Sequence, residues 1–250
     1  MSGINLQKRV ETVGISLAKR NITVTPKVRV GLALDVSGST HHLYTNGVMQ
    51  ETIDRLLAVA VKFDDNGELD MWSFDNRSST LPQATANSYG NYVPQNILNN
   101  NSIQKWGGTS YAPVIKDVTR YYFPSGPVTQ VQEAAKGLFG KLFGSKPAPA
   151  PTPAPATTAA TAEPAMVLFI TDGANDDQSA AMAALREAAN SPVYWQMVGV
   201  GPASYFTFIK EAADKLPNVG FINLNSLSMT DEQLYEQLIS DEFCAWVKQR

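Results

Sequence analysis

The sequence contains a single cysteine, Cys244, and only two histidines, His41 and His42. One thiol cannot form an internal disulfide, and this scarcity of cysteine and histidine leaves no ligand set for a structural zinc ion. The sequence also lacks an uninterrupted apolar run of about 18 residues, and its N-terminus lacks the apolar stretch of a signal peptide. We therefore expect a cytoplasmic chain without a transmembrane segment.

Neither sign of charge is in large excess. The chain has 20 Lys and Arg residues and 23 Asp and Glu residues, which gives a formal net charge of −3. Proteins that bind nucleic acid usually carry a basic excess or a basic stripe, so we expect no nucleic-acid partner. Hydrophobic residues occupy 44% of the 250 positions, enough for one large α/β core or two small ones.

Two kinds of apolar segment alternate along the chain. Continuous apolar runs such as KVRVGLAL (27–34) and AMVLFITDG (165–173) are typical of strands buried on both faces. Apolar residues three or four positions apart, as in residues 51–63, predict helices between the strands. This alternation predicts an α/β fold: a doubly wound, mostly parallel sheet flanked by helices. Residues 83–105 are interpreted mostly as loop, and residues 229–248 as helical.

Two further segments complete the predicted organisation. Apolar residues on one face, from Leu6 to Leu17, predict an N-terminal amphipathic helix within residues 1–25. Every residue from 147 to 162 is Pro, Ala or Thr, a composition that predicts a flexible linker. Because predicted strands lie on both sides of this linker, we interpret residues 125–164 as an insertion within a domain that covers residues 26–250.

The first part of this insertion has helical periodicity. Apolar residues three and four positions apart predict an amphipathic helix over residues 128–143, which ends in the sequence GLFGKLFG (137–144). Two interpretations of this helix remain open. It packs on the domain, or it presents its apolar residues and lysines to a partner protein or a membrane surface, where residues 137–144 would dock peripherally.

Two predicted strands end in an acid. Asp35 closes the strand in GLALDVSGST (31–40), and Asp172 closes the strand in FITDG (169–173). Ligands of open parallel sheets bind beyond the carboxyl ends of the strands, so neighbouring strands would bring both carboxylates to one crevice. Ser37, Ser39 and Thr109 would add three hydroxyls. Such an all-oxygen set suits a hard cation, namely Mg²⁺, Mn²⁺ or Ca²⁺.

Each of these residues also has a structural interpretation. Asp35 and the two serines after it fit a helix N-cap with turn serines, and Asp172 fits a turn acid. The occurrence of Thr109 and Asp172 together with Asp35 and the two serines favours the metal site. Because hydroxyls are neutral, a bound cation would stay electrophilic, and its open position would favour an acidic side chain of a partner.

Further residues are expected at the rim of this crevice. The histidines and acids among them have structural alternatives. His41 and His42 also fit a solvated loop, and Asp75 fits a plain loop acid. Asp176, together with Asp177, fits the cap of the next helix. The candidate rim residues are His41, His42, Asp75, Gly108 and Asp176.

The motif Asp-x-Ser-x-Ser at 35–39, Thr109 in WGGT and Asp172 in FITDG resemble the metal-ion-dependent adhesion site (MIDAS) of the von Willebrand factor A (vWA) domain. The resemblance covers roughly residues 25 to 245 without 125–164. It implies a Rossmann-like vWA fold with the site at the C-terminal strand ends. It also implies direct ligation by the three hydroxyls, with Asp35 and Asp172 acting partly through water, and Mg²⁺ as the favoured cation.

Several phrases, among them KFDDNGELDMWSFDN (62–76) and VYWQMVGVG (193–201), are similar to a narrower branch of that family. This branch consists of cytoplasmic bacterial members associated with tellurium-resistance (Ter) clusters. The resemblance implies a stress-response or defence role, in which a non-enzymatic, metal-dependent module binds other Ter proteins. The insertion and the pair His41–His42, where a Met or other hydrophobic residue is more usual, depart from the pattern and leave the partner open.

Two other function classes remain as alternatives. An accessory subunit of an ATPase or metal chelatase would match a role of other vWA proteins; the chain itself has no G-x-x-x-x-G-K-[ST] loop for ATP. A metal-dependent phosphoryl or ester hydrolase would use Asp35 as nucleophile or ligand. Ser37 argues against this, because an Asp-x-Asp phosphatase has a second carboxylate at that position.

Overall fold

A computed structural model describes residues 2–124, 163–224 and 229–249. The six strands among these residues form one sheet in the order β3-β2-β1-β4-β5-β6. Only β3 in this described sheet runs antiparallel to its neighbour. This confirms the predicted doubly wound, mostly parallel sheet. The strands are β1 (Arg29–Asp35), β2 (Leu69–Phe74), β3 (Ser78–Ala84), β4 (Ala165–Thr171), β5 (Val193–Val200) and β6 (Val219–Leu224).

Helices cover both faces of the sheet. On one face, Leu32 and Leu168 are buried in a core that includes residues of α1, α3, α7 and α8. On the other face, Trp72 and Phe169 are buried against α4, α5 and α6. No helix of the described ranges is long and apolar enough to cross a membrane. The helices are α1 (Ser2–Lys19), α2 (His41–Thr45), α3 (Val48–Phe63), α4 (Ala112–Tyr122), α5 (Gln178–Ala188), α6 (Thr207–Lys215), α7 (Asp231–Leu238) and α8 (Asp241–Val247).

The switch in strand order positions the candidate site. β1 lies between β2 and β4, and Leu34 of β1 pairs with Ile170 of β4. The chain leaves these two parallel neighbours at the same edge of the sheet. Asp35 and Asp172 therefore meet at the carboxyl ends of adjacent strands, where an open α/β sheet binds its ligands.

The structure adds detail to the sequence prediction in two regions. Residues 229–248, predicted as helical, form two helices, because the Ser240 side chain accepts a 3.2 Å hydrogen bond from Phe243 N and starts α8 separately from α7. The region 83–105, predicted mostly as loop, contains a 3₁₀ turn at Ala86–Ser88 and a short π-helical segment at Pro94–Leu98.

Helix α1 packs against α3 and α7. Its apolar residues Val13 and Leu17 are buried. The Arg9 guanidinium forms an ion pair with Asp231 over 3.1 Å, contacts Glu51 of α3, and donates a 2.5 Å hydrogen bond to the Tyr89 hydroxyl. Polar and apolar contacts together therefore join α1 to the rest of the fold.

The predicted helix over 128–143 and the linker at 147–162 lie outside the described residues. The ends that flank this interval are held by Arg29. Its guanidinium donates hydrogen bonds to Tyr122 O over 3.0 Å and to Glu163 O over 3.5 Å, and lies 4.5 Å from the centre of the Tyr122 ring. The chain therefore departs and returns beside the start of β1, at the edge of the sheet opposite Asp35.

Candidate metal centre

Asp35 is fully buried at the end of β1, and both of its carboxylate oxygens accept hydrogen bonds. Ser37 N donates to Oδ1 over 2.8 Å, and Thr171 Oγ1 donates to Oδ2 over 2.6 Å. Burial raises the pKa of Asp35 to about 6, although the hydrogen bonds from Ser37 and Thr171 act in the opposite direction; the charge of Asp172 adds to the increase. A nearby cation would stabilise this carboxylate in its ionised form.

Three side-chain oxygens lie close together above Asp35. Ser37 Oγ is 3.2 Å from Ser39 Oγ, and Ser39 Oγ donates a 2.9 Å hydrogen bond to Asp172 Oδ1. Adjacent oxygens around an octahedral Mg²⁺ are about 2.9 Å apart, since each Mg–O bond is about 2.0–2.1 Å long. The two distances from Ser39 Oγ are thus close to the separation of neighbouring ligands on one small cation.

The chemistry of this donor set fits a hard divalent cation. Burial raises the pKa of Asp172, while the Ser39 hydroxyl and nearby His42 act in the opposite direction. Across the described residues, no group of three or more His, Cys, Asp or Glu side chains could hold a metal ion. Any ion at this crevice would therefore depend on hydroxyl oxygens as well as the two carboxylates, which favours Mg²⁺ or Mn²⁺ over zinc.

Backbone hydrogen bonds hold the loop of Thr109 against the loop of the serines. Trp106 N donates to Val36 O over 2.6 Å, and Gly38 N donates to Gly107 O over 2.9 Å. Trp106 has a φ of 70°, which is rare for a bulky residue. Its ring packs edge-on against Tyr44, with centroids 5.5 Å apart. The structure thus brings the WGGT motif next to the Asp-x-Ser-x-Ser motif.

The candidate rim residues Asp75, Gly108 and Asp176 all lie at this loop, but at different depths. Asp75 is fully buried beneath it, where its carboxylate accepts hydrogen bonds from Gly107 N over 3.2 Å and Arg77 N over 3.1 Å. Asp176 is exposed, and its Oδ2 accepts a 3.2 Å hydrogen bond from Thr109 N.

Gly108 is packed between two side chains. A Cβ at this position would lie 2.7 Å from Asn76 Oδ1 and 3.0 Å from Asp176 Oδ2. A side chain at this position would therefore require Asn76 and Asp176 to move, which favours glycine here.

The two histidines lie on the exposed surface next to the serines. His42 Nδ1 is 2.8 Å from Ser39 O. Because a carbonyl oxygen can only accept, Nδ1 carries a proton and His42 Nε2 faces away from this bond. The His41 ring contacts Trp106, with centroids 4.6 Å apart.

The sequence predicts Asp177 as a cap of the helix that follows it, but the structure gives it another role. Asp177 does precede α5, yet its side chain makes no capping hydrogen bond to that helix. Its carboxylate accepts hydrogen bonds from Tyr111 N over 2.9 Å and Ala112 N over 2.8 Å, at the start of α4. No local sequence signal identifies a cap that acts on a helix so distant in the chain.

The fold and this crevice define a class of protein. A family model described as "vWA found in TerF C terminus" matches residues 27–131 and 152–250. The chain therefore belongs to the von Willebrand factor A family, in its Ter-associated branch.

A relative and two solved structures extend this comparison. The protein YcbR of Bacillus subtilis (strain 168) is 32% identical over 254 residues, which cover 100% of this chain and 88% of YcbR. Proximal thread matrix protein 1 from the mussel byssus, in a structure with a zinc-occupied MIDAS motif, is 14% identical, with a TM-score of 0.53. That match covers 87% of this chain and 48%, about half, of the mussel protein.

Manganese-loaded TRAP protein of Plasmodium vivax is 13% identical, with a TM-score of 0.50, and the match covers 86% of this chain and 73% of TRAP. At such low identities, these two structures show the shared fold.

Proposed function

We propose that this protein is a metal-dependent protein-interaction module. One divalent cation, Mg²⁺ in preference to Mn²⁺ or Ca²⁺, would be held by Asp35, Ser37, Ser39, Thr109 and Asp172. The observation that carries this proposal is that Ser39 Oγ lies 3.2 Å from Ser37 Oγ and 2.9 Å from Asp172 Oδ1, separations close to those of adjacent ligands on a small cation. A cation bound there would supply the positive charge that binds an Asp or Glu side chain of a protein partner.

The five residues would have different roles at the cation: some would coordinate it directly, and others would contribute charge and orient the ligands. Asp35 is buried and already accepts two hydrogen bonds, so it suits an indirect role in which it orients Ser37 and contributes negative charge. Ser39 is exposed, and Asp172 is partly exposed, so both can take part in direct contacts. Three neutral hydroxyls compensate less of the charge of a cation than carboxylates would, which favours an additional acidic ligand from outside.

Comparison with related proteins supports a divalent cation and a protein partner. The zinc-occupied motif of the mussel protein and the manganese-loaded Plasmodium protein support a divalent cation in a vWA fold. Membership in the TerF-like family supports a partner among other Ter-cluster proteins and a role in stress response or defence.

The geometry of Asp35 disfavours the alternative of a phosphoryl or ester hydrolase. A nucleophilic carboxylate needs an oxygen that can approach the substrate. Both oxygens of Asp35 are engaged by Ser37 N and Thr171 Oγ1, and the side chain has no exposed surface. A binding function therefore agrees better with the arrangement.

Calorimetric titration of the metal-free protein with Mg²⁺, Mn²⁺ and Ca²⁺ tests the cation. We expect saturable binding by the wild type and by the control Asp214→Ala, which alters an exposed acid on α6, and no binding by Asp172→Ala. A hundredfold excess of metal over its dissociation constant should also stabilise the wild type by about 2.7 kcal/mol. If the wild type binds none of the three ions, the proposal is wrong.

The partner is tested separately with purified proteins encoded beside this chain. Binding should require Mg²⁺, be reversed by EDTA, and be lost in Asp172→Ala but not in Asp214→Ala. A partner that binds equally well in EDTA would show that the interaction does not depend on the metal.

A further inference from the structure

Besides its backbone hydrogen bonds to the loop of the serines, the segment that carries Thr109 is held by carboxylates that belong to other loops. Gly107 N donates to Asp75 Oδ2, and Thr109 N donates to Asp176 Oδ2, each over 3.2 Å. Asp176 N returns a 2.8 Å hydrogen bond to Thr109 O. The backbone of Thr109 therefore has both of its polar groups bound to one residue of the loop that follows Asp172.

Asp177 fixes the same segment two residues further on. Its two oxygens accept hydrogen bonds from Tyr111 N and Ala112 N, and Asn175 Nδ2 donates to its Oδ1 over 2.8 Å. Tyr111 is the N-cap residue of α4 and makes no side-chain capping bond of its own. Asp177 thus supplies the cap that α4 lacks, and a carboxylate is favourable at the positive end of a helix.

We propose that Asp177 is a positioning residue for Thr109, and that it couples the loop of Asp172 to the loop of Thr109. This inference rests on the proposed function, because it assigns Asp177 a role toward the same metal site. Asp177 is not a ligand; it acts through the backbone at the start of α4.

The physical advantage is preorganisation of the site. Residues 172–177 carry the candidate ligand Asp172 at one end and the α4 cap Asp177 at the other. The same short loop therefore places one ligand and restrains the segment of another. Ligands that are held in place before the ion binds lose less conformational freedom on binding, and groups that orient metal ligands typically contribute 10–100-fold to affinity.

The test is a double-mutant cycle in the full chain, with Asp177→Asn, Thr109→Ala and the double variant. The asparagine keeps the shape of the side chain but places an NH₂ group against one of the two backbone N–H groups. We expect Asp177→Asn to weaken Mg²⁺ binding about 10–100-fold in the wild-type background. In the Thr109→Ala background, measured at Mg²⁺ concentrations that saturate that variant, it should have little further effect.

A second readout needs no metal. In the metal-free protein, Asp177→Asn should increase the hydrogen-exchange rates of the amides of Tyr111, Ala112 and Thr109, while Asp214→Asn should leave them unchanged. If Asp177→Asn fails to fold, Asn175→Ala replaces it, because this change removes the Nδ2 contact to Asp177 and keeps the carboxylate. Its effect should be smaller and in the same direction.

The outcomes separate the two proposals. If the wild type binds metal and Asp177→Asn binds it equally well, the positioning role is wrong and the proposed function stands. If Asp177→Asn costs the same affinity with and without the Thr109 hydroxyl, the effect is a general structural one, and the role is also wrong. If the wild type binds no metal, both proposals fail together.

Discussion

Ser39 Oγ donates a 2.9 Å hydrogen bond to Asp172 Oδ1 and so joins two residues that are 133 positions apart in the sequence. The contact exists because β1 and β4 are parallel neighbours whose loops leave the same edge of the sheet. It connects a hydroxyl and a carboxylate that we propose to share one cation. Loss of this contact should therefore reduce metal affinity more than it reduces the stability of the fold.

We expect Ser39→Ala to weaken Mg²⁺ binding by at least about tenfold, equivalent to about 1.4 kcal/mol, because it removes an oxygen ligand and the donor to Asp172. Ser39 is exposed, so the melting temperature of the metal-free protein should change little. Calorimetry and thermal unfolding provide the two measurements. The control is Ser204→Ala at an exposed serine. Equal affinity in both variants would remove Ser39 from the ligand set.

Because burial raises the pKa of Asp35, its carboxyl group makes the metal-free protein less stable at neutral pH than at about pH 4. The folded protein holds the Asp35 proton more tightly than the unfolded chain does, so this contribution to stability falls as pH rises from about 4 to about 6. A shift from 3.8 to about 6 corresponds to about 3 kcal/mol.

In Asp35→Asn, the amide oxygen can accept from Ser37 N while its NH₂ group donates to the Thr171 hydroxyl, which can rotate to accept. This variant should therefore make the metal-free protein more stable at about pH 7.5, by up to about 3 kcal/mol, and should also prevent metal binding. The difference from wild type should shrink toward pH 4 as the wild-type carboxyl takes up its proton. Urea unfolding at both pH values measures it, with Asp214→Asn as the control. A variant that is less stable than wild type at neutral pH would contradict this prediction.

The loop of Thr109 has no room for a side chain at Gly107. A Cβ there would lie 2.8 Å from Asp75 Oδ2, and Asp75 is buried and bound by Gly107 N and Arg77 N. We expect Gly107→Ala to destabilise the protein by about 1–3 kcal/mol and to weaken Mg²⁺ binding through displacement of the loop. Thermal unfolding and calorimetry measure these effects.

Gly173→Ala provides the matched control in the neighbouring loop. Apart from the glycine and its two chain neighbours, no described atom lies within 4 Å of a Cβ at Gly173, and its φ is not positive. This variant should fold and bind metal like the wild type. If both alanine variants behave alike, steric contact with Asp75 is not what requires glycine at position 107.

Arg9 should contribute to stability without affecting the metal centre. Its side chain is only 11% exposed and contacts Asp231, Glu51 and Tyr89. Arg9→Ala removes one donor from each of these groups, while Arg55 still pairs with Glu51 and Asp231. We therefore expect a loss of about 1 kcal/mol in the free energy of unfolding in urea. The exposed neighbour Lys8→Ala should cost little. Mg²⁺ affinity of the folded Arg9→Ala protein should equal that of wild type; a large change would show coupling between α1 and the site.

The sequence predicts the sheet well because strands buried on both faces leave a strong signal. The runs that end at Asp35 and Asp172 are apolar almost throughout, and the structure makes them neighbours at the centre of the sheet. Residues with one local role are predictable for the same reason. Ser240, followed by Asp241 and Glu242, is a typical helix start, and the break between α7 and α8 could have been predicted from it.

Long-range roles are harder to predict. Asp177 has the local sequence of a cap for α5, but its carboxylate points to α4 because the two loops meet above the sheet. The strand-end position of Asp75 indicates a place near the site, but not that the Thr109 loop covers it. Such roles depend on which loop packs over which acid, and no spacing within one segment encodes this. A rim role for His41 and His42 remains a prediction.

The contacts of Arg29 affect how the stability of this fold depends on the number of residues between Tyr122 and Glu163. One guanidinium binds the carbonyls of Tyr122 and Glu163, so the folded domain fixes both ends of the interval between them. For a chain whose ends are already held together, doubling the number of intervening residues costs only about 0.6 kcal/mol of closure entropy. The entropy of closing the chain between Tyr122 and Glu163 therefore depends only weakly on how many residues separate them, so a change in that number should alter the stability of the domain little through this term.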